Sequence, residues 1–411
     1  MCAGSPPGAS PIAKAFPPHY NGRRAAVPRK ARRPPRFFRA ATRLWGTPAM
    51  NLTYADAAGN IGYQMVGHVP VRTRGEGLVP SPGWSGQYEW RDTVPFDDLP
   101  MAFNPPDGLW ASANHDTSSL SPKHYFTREF IDPARYRRIR QVLESKERHS
   151  AVDFGSLQAD EVSLPAREIA RLLAAQVRPG GRLERGAVDE LRTWDGRVSA
   201  DSVAASVYEV FRNELLKARH AEALGDLLPA VLGVGPHPLL GAVTSHYFLQ
   251  TARVLTFLQA SPDDPCVANA FSATVDWLAH RLGPQIANWQ WGRLHPLRLE
   301  HALSRRKPLG MLFDVPSFPW TGDLETVRAG GSAPGGYEAS GPISAYRLIA
   351  DCGDWDSTLS SIPAGQSGHR GSPHYADQVD AWRRVAYHPL SFTRPAIARV
   401  QRHTLRLTPD A

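Results

Sequence analysis

Asn114 closes the run Ala111-Ser112-Ala113-Asn114, and its type and setting suit chemistry. Small side chains let a second backbone or a substrate come close, and a neutral amide supplies a hydrogen-bond donor without adding charge. The same residues also fit an Asn that only caps a turn, and spacing alone does not separate the two readings. His295, amid the aromatics of Trp289-Gln290-Trp291-Gly292-Arg293-Leu294-His295, reads as a hydrogen-bonded core residue. His369 and His374 sit in a Gly/Pro-rich stretch without the converging ligands a metal needs. Ser367, in Gly365-Gln366-Ser367-Gly368, is not on a Gly-X-Ser-X-Gly nucleophile turn, because His369 occupies the last glycine position and no strand-to-helix context surrounds it. Trp84, Trp90 and Trp110 read equally as the lining of an apolar pocket or as plain core.

The elements that must position Asn114 follow from patterning. Residues 83–115 crowd Pro, Gly, Trp and Asn together, which predicts a rigid, aromatic-lined loop ending in a short strand at 108–114. Upstream, 41–68 reads as a short helix and then a hairpin, with Leu52, Tyr54, Ile61, Tyr63 and Met65 alternating and the turn at 56–60. Downstream, Asp132 reads as an N-cap with Pro133 at the first helical position, and the helix runs to about Lys146. Residues 160–282 are mostly helical by their 3.6 period, as at Leu164, Ile169, Leu172 and Leu173 and again at Val203, Val207, Val210, Phe211 and Leu215. Further helices are expected near 245–258 and 265–282. From 286 onward loops and strands return, with strands expected at 343–349 and 400–407. The expected class is α+β.

A chain of 411 residues with 42% hydrophobic and 21% charged residues can bury a large core. No apolar run reaches the roughly 18 residues of a membrane helix. The formal charge of +8 is concentrated in one place: residues 1–50 hold ten of the 47 Lys/Arg and no acid, which leaves 37 against 39 elsewhere. Basicity is therefore no argument for a nucleic-acid partner of the body. Residues 1–40, rich in Pro, Arg and Ala and without an apolar signal-peptide core, are expected to be a disordered leader. Three cysteines, Cys2, Cys266 and Cys352, fit no zinc or redox spacing.

Several short motifs, in order, resemble the β-chain core of the penicillin acylase (penicillin amidase) family of N-terminal-nucleophile hydrolases. Around Asn114 they are Gly83-Trp84, Gly86, Glu89-Trp90, Pro95, Leu99-Pro100, Asn104-Pro105, Gly108 and Ala113-Asn114, with Asp92 departing from the family's usual Gly. Before them come Asn51, Tyr54-Ala55-Asp56, Gly59-Asn60-Ile61-Gly62-Tyr63, Gly67, Pro70 and Arg72. After them come Arg135, Arg138, Ile139 and Leu143, then Trp194-Asp195-Gly196, the Trp289–His295 motif, Gly322-Asp323 with Thr326-Val327, Gly365-Gln366-Ser367-Gly368, and Ser372-Pro373-His374-Tyr375-Ala376-Asp377-Gln378. The resemblance covers about residues 41–395.

The resemblance implies part of a four-layer αββα sandwich with a mostly helical insertion at about 150–285 and strands returning over 286–411. It implies hydrolysis of a linear amide in a small-molecule N-acyl substrate, through an acyl-enzyme on an N-terminal Ser whose own amine is the base. Asn114 is then an oxyanion donor, Arg135 orients Asn114, and Trp84, Trp90 and Trp110 line the acyl pocket. No cofactor is implied: the family's calcium-binding members have an Asp where this chain has Tyr125. The family's nucleophile belongs to a segment preceding the hairpin at 51–67. The expectation is thus a truncated chain, inactive alone, whose partners are the α-chain and the N-terminal β-chain segment. The alternative expectation is a non-catalytic acyl-ligand-binding or interaction remnant. No nucleic-acid partner and no membrane span are expected.

Overall fold

Helix α1 (Pro35–Thr42) begins inside the stretch expected to be leader. Two of the ten basic residues counted over 1–50 have structural partners. The Arg39 and Arg43 guanidiniums donate to Asp97 at 3.0 and 2.8 Å and lie over the Phe96 ring, and Arg39 Nε also donates to Gln64 at 2.9 Å. The computed structural model describes residues 35–128, 130–231, 251–306, 308–332, 336–339 and 343–407. Of the leader expected over 1–40, residues 1–34 lie outside the described residues.

The chain divides into two units: residues to Asp56, 60–110 and 117–127 form the first, and 57–59, 111–116 and 128 onward the second. In the first, β1 (Met50–Ala55), β2 (Ile61–Val66) and β5 (Met101–Phe103) make an antiparallel sheet in the order β1-β2-β5. Asn51 faces Met65 and Ala55 faces Ile61 in the hairpin register. The turn closes because the Asp56 carboxylate accepts both the backbone and the side-chain N–H of Asn60, while Gly59 takes a φ of 84°. β3 (Pro70–Arg72) pairs with β4 (Trp90–Thr93), and Val69, Val94 and Leu99 form a small core beneath them with Met65 and Phe96.

The strand expected at 108–114 is absent: no ladder runs through those residues. Gly108 at φ 67° and Asn114 at φ 64° both lie in the left-handed region, which an extended strand cannot contain.

The second unit is mostly helical between 151 and 282. Its main members here are α2 (Ala134–Leu143), α3 (Ala151–Gln158), α4 (Leu164–Gln176), α5 (Arg182–Thr193), α6 (Val203–Leu224), α7 (Thr251–Ala260) and α8 (Pro265–Leu282). Ser163, Ser202 and Asp264 cap α4, α6 and α8 by accepting backbone N–H groups, which satisfies donors the helix cannot. Their apolar faces meet in one core containing Ile169, Leu173, Leu191, Val207, Phe211, Leu215, Phe271 and Leu278, into which Trp289 and Trp291 insert. The expected start of a helix near 245 lies outside the described residues. At α2 the cap is one residue later than expected: Pro133 holds the N-cap position, and Asp132 Oδ1 reaches past it to the Ala134 N–H at 2.9 Å.

Strands follow: β6 (Pro296–Leu299) pairs with β7 (Val315–Pro319), and β8 (Arg347–Ile349), β9 (Leu359–Ser361) and β10 (His388–Pro389) form a second antiparallel sheet. Of 343–349 only the last three residues form a strand. The strand expected over 400–407 is replaced by helix α11 (Arg394–Val400; α9 and α10 are Trp291–Leu294 and Val379–Arg383) and a non-regular exposed tail. The alternation there has no ladder to join, and Thr393 caps the helix that precedes it. Helices with antiparallel sheets make the class α+β.

Candidate active site

Residues 113–115 are strapped to the start of α2, so the site is built by a turn and a helix N-terminus. The Ile131 N–H donates to Asn114 O at 3.2 Å, and the His115 ring stacks on Tyr136 with centroids 3.9 Å apart. Arg135, in the first turn of α2, sends Nη2 to Asn114 Oδ1 at 2.9 Å and to Ala113 O at 3.1 Å. A guanidinium only donates, so the atom it meets on Asn114 must be the carbonyl oxygen. The Nδ2 amino group is thereby turned the other way, on an exposed residue, and no acceptor takes it among the described residues. The left-handed backbone at Asn114 is one an Asn tolerates better than most residues.

Behind Arg135 lies a buried set of charges. The loop after β7 supplies Asp323 and Glu325, α6 supplies Glu209 and Arg212, and all four are buried. Asp323 Oδ1 accepts the backbone N–H groups of Glu325 and Thr326 at 2.7 and 2.8 Å. Gly322 makes this loop fold tightly: at φ 79° a Cβ would stand 2.1 Å from Arg328 O. The Thr251 hydroxyl donates to Glu325 Oε1, and Arg212 Nη1 meets the Glu209 carboxylate at 3.3 Å. Burial pushes the pKa of Glu209 up to about 8 and that of Glu325 up to about 7, with Arg212 opposing and Asp323 reinforcing each shift. Burial also lowers the Arg135 pKa, against the attraction of Asp323 first and Glu325 second.

Of the expected site residues, the structure therefore brings Asn114 and Arg135 together. The three tryptophans belong to the first unit. Trp84 is 91% exposed and Trp90 48% exposed, so neither is core. Trp110 is half-buried and stacks on Tyr63 at 4.6 Å, while the Tyr63 hydroxyl donates to Asn51 at 2.6 Å. His295 is fully buried, stacked on Trp291, with Nδ1 donating to Tyr337 O, and burial drives its pKa down to about 4. His374 meets Asp377 at 2.8 Å on the surface. Among the described residues no group of three His, Cys, Asp or Glu is arranged to hold a metal, and no helix is long and apolar enough to cross a membrane.

The sequence reading missed Glu209 and Arg212. Their signal was a charged pair at i, i+3 inside an apolar helical stripe, Glu209 following Tyr208 and Arg212 following Phe211, where solvent-facing residues are not expected. Asp323 was seen only as part of a motif and Glu325 not at all.

Comparison with known proteins bears on this arrangement. A family model described as Penicillin amidase matches residues 30–399. The chain is 33% identical over 374 residues to the penicillin acylase 2 proenzyme of Pseudomonas sp. (strain SE83), covering 87% of this chain and 46% of that protein. It is 28% identical over 410 residues to the acyl-homoserine lactone acylase QuiP of Pseudomonas aeruginosa, covering 90% and 47%. The chain thus spans about half the length of these relatives. Among solved structures, a thermostable penicillin G acylase from Alcaligenes faecalis matches with a TM-score of 0.61 at 21% identity, over 93% of this chain and 71% of that one.

Proposed function

The chain belongs to the penicillin amidase family, and from that premise we propose that it supplies the oxyanion-binding side of a hydrolase that cleaves N-acyl amides. The observation that carries this is the fixed orientation of Asn114: Arg135 holds the carbonyl oxygen, which leaves the Nδ2 donors exposed on a rigid turn. A preorganised neutral donor of this kind stabilises a developing oxyanion by roughly 3–4 kcal/mol, or about 10²–10³ in rate. Asn suits the task because it donates without a charge that would perturb a neighbouring amine base.

The chemistry proposed is that of an N-terminal Ser. Its Oγ bonds to the acyl carbon while its proton passes to its own α-amine. The C–N bond then breaks, and the leaving amine takes that proton. Water next adds to the ester and releases the carboxylic acid and the free Ser. Penicillin acylases and acyl-homoserine lactone acylases are named for substrates that share a secondary amide bearing an acyl chain, and the proposed substrate class is that shared group. The 411 residues alone are proposed not to turn such amides over, the nucleophile being supplied by further polypeptide.

The test is hydrolysis of phenylacetyl and long-chain acyl amides by the purified chain, alone and after refolding with a separately expressed N-terminal half of the penicillin acylase 2 proenzyme. No release alone and release after combination are expected. A burst of acyl release from the chain alone refutes the need for a supplied nucleophile. Saturable ligand binding with no hydrolysis in the combination refutes the catalytic reading in favour of a binding protein.

A further inference from the structure

We propose that Asp323 is the positioning carboxylate for Arg135, and that a protonated Glu209 donates to Asp323, so that one buried proton fixes where Asn114 aims its amide. The functional meaning of this rests on the reading of Asn114 above; the geometry does not.

The charges do not balance without that proton. Glu209, Asp323 and Glu325 lie buried against the two guanidiniums of Arg135 and Arg212. With every group ionised, one negative charge is left over in the interior, where an uncompensated charge is strongly unfavourable and a carboxyl stays protonated instead. The hydrogen bonds decide which one. Asp323 Oδ1 is already committed to two backbone N–H groups, and the Thr251 hydroxyl that donates to Glu325 Oε1 favours that carboxyl's ionised form. Among the described residues the donor contacts of Glu209 are the long ones from Arg212 Nη1, at 3.3 and 3.4 Å. It is the carboxyl with least to lose on taking a proton.

Unpartnered atoms point the same way. Asp323 Oδ2 and Arg135 Nε are both buried with no hydrogen-bond partner among the described residues. A protonated Glu209 is the donor that Asp323 Oδ2 lacks, and a hydrogen bond between these two carboxyls is among the causes that raise the Glu209 pKa. Asp323 is the leading electrostatic partner of Arg135. Arg135 has spent Nη2 on Ala113 O and Asn114 Oδ1, so the carboxylate behind it sets the angle at which it holds them. The groups facing Glu209 are Tyr208 and Arg212 on its own helix, Asp323 and Glu325 from the loop after β7, and Tyr337; Asp132, before α2, faces Glu325.

The test reads Asn114 directly, without turnover. The chain contains eight Asn residues, so selective ¹⁵N-Asn labelling gives a countable set of side-chain amide signals, and N114D identifies the one from Asn114. In the native chain that signal should titrate with a midpoint near pH 8, following Glu209. E209Q, which keeps a neutral donor, should lose the step near pH 8, so that any change remaining lies near pH 7 and belongs to Glu325. D323N should displace it at every pH while the other seven signals stay. A native Asn114 signal that is flat from pH 6 to 9.5 overturns the proposal, as does one that titrates unchanged in E209Q. Should D323N not fold, the comparison of E209Q with E209L decides alone: Gln must preserve the native low-pH signal and Leu must lose it. Failure of the hydrolysis experiment leaves this test intact, and failure here leaves the oxyanion reading intact.

Discussion

Asn114 can be taken apart into a backbone role, an acceptor role and a donor role, and three substitutions separate them. Asn114→Ala removes the acceptor for Arg135 Nη2, a 2.9 Å bond on an exposed residue that is worth about 1 kcal/mol. It also places a Cβ-bearing residue with no local polar group at φ 64°, which adds roughly 1 kcal/mol. Asn114→Gly loses the bond but not the backbone fit, so it should be the milder of the two by about 1 kcal/mol. Asn114→Asp keeps the acceptor and charges it opposite a guanidinium, so stability should hold within about 1 kcal/mol of native or rise. The Nδ2 donor is lost and a negative charge gained. Urea unfolding of the four proteins, with equal m-values, measures this order. An Asp variant as unstable as the Ala variant refutes the assignment of Oδ1 to Arg135, and equal Ala and Gly variants refute the left-handed backbone.

Other consequences follow from single groups. Glu209 has a folded pKa raised from 4.5 to about 8, so the folded state holds the proton that the unfolded state releases. Its contribution to stability is complete below about pH 4.5 and is lost as pH rises through about 8, at up to roughly 1.4 kcal/mol per unit. E209Q should flatten that limb in pH-dependent urea melts; an unchanged limb contradicts the assignment. His295 has the opposite sign: its folded pKa is depressed to about 4, so stability falls as pH drops from about 6.5 toward 4. Acid melts of His295→Gln should lack that one-proton slope. Gly365→Ala would place a Cβ 2.0 Å from His374 O and should lower stability by roughly 1–3 kcal/mol, seen as a fall in Tm of several degrees; a neutral result contradicts the packing of this loop.

Local signals made much of the second unit legible. The 3.6 period placed a helix near 265–282, and the structure has it at Pro265–Leu282 with Asp264 as its cap, because capping and apolar spacing agree there. The hairpin around 56–60 was equally plain, since Asp56 and Gly59 each solve a local problem of the turn. Strands fared worse at 108–114 and 400–407, because alternation states which face is apolar and says nothing about whether a partner strand exists. The short helix expected from 41 begins earlier, at Pro35, and its true start was not legible because what orders Arg39 and Arg43 is Asp97, more than 50 residues away. At the site, Asn114 and Arg135 were found through motif order, and their hydrogen bond is the geometry that spacing could not give. The acids behind them were hidden for a physical reason: a sequence shows that Glu209 and Asp323 are charged, but only the fold shows that they are dry and near each other.

The most direct measurement of the central claim is the single-turnover acylation rate of the combined chains with native Asn114 and with Asn114→Asp. If the Asn114 amide binds the oxyanion, the Asp variant should bind substrate within a few-fold of native and acylate about 10²–10³ times more slowly. An Asp variant that acylates at the native rate would contradict the account.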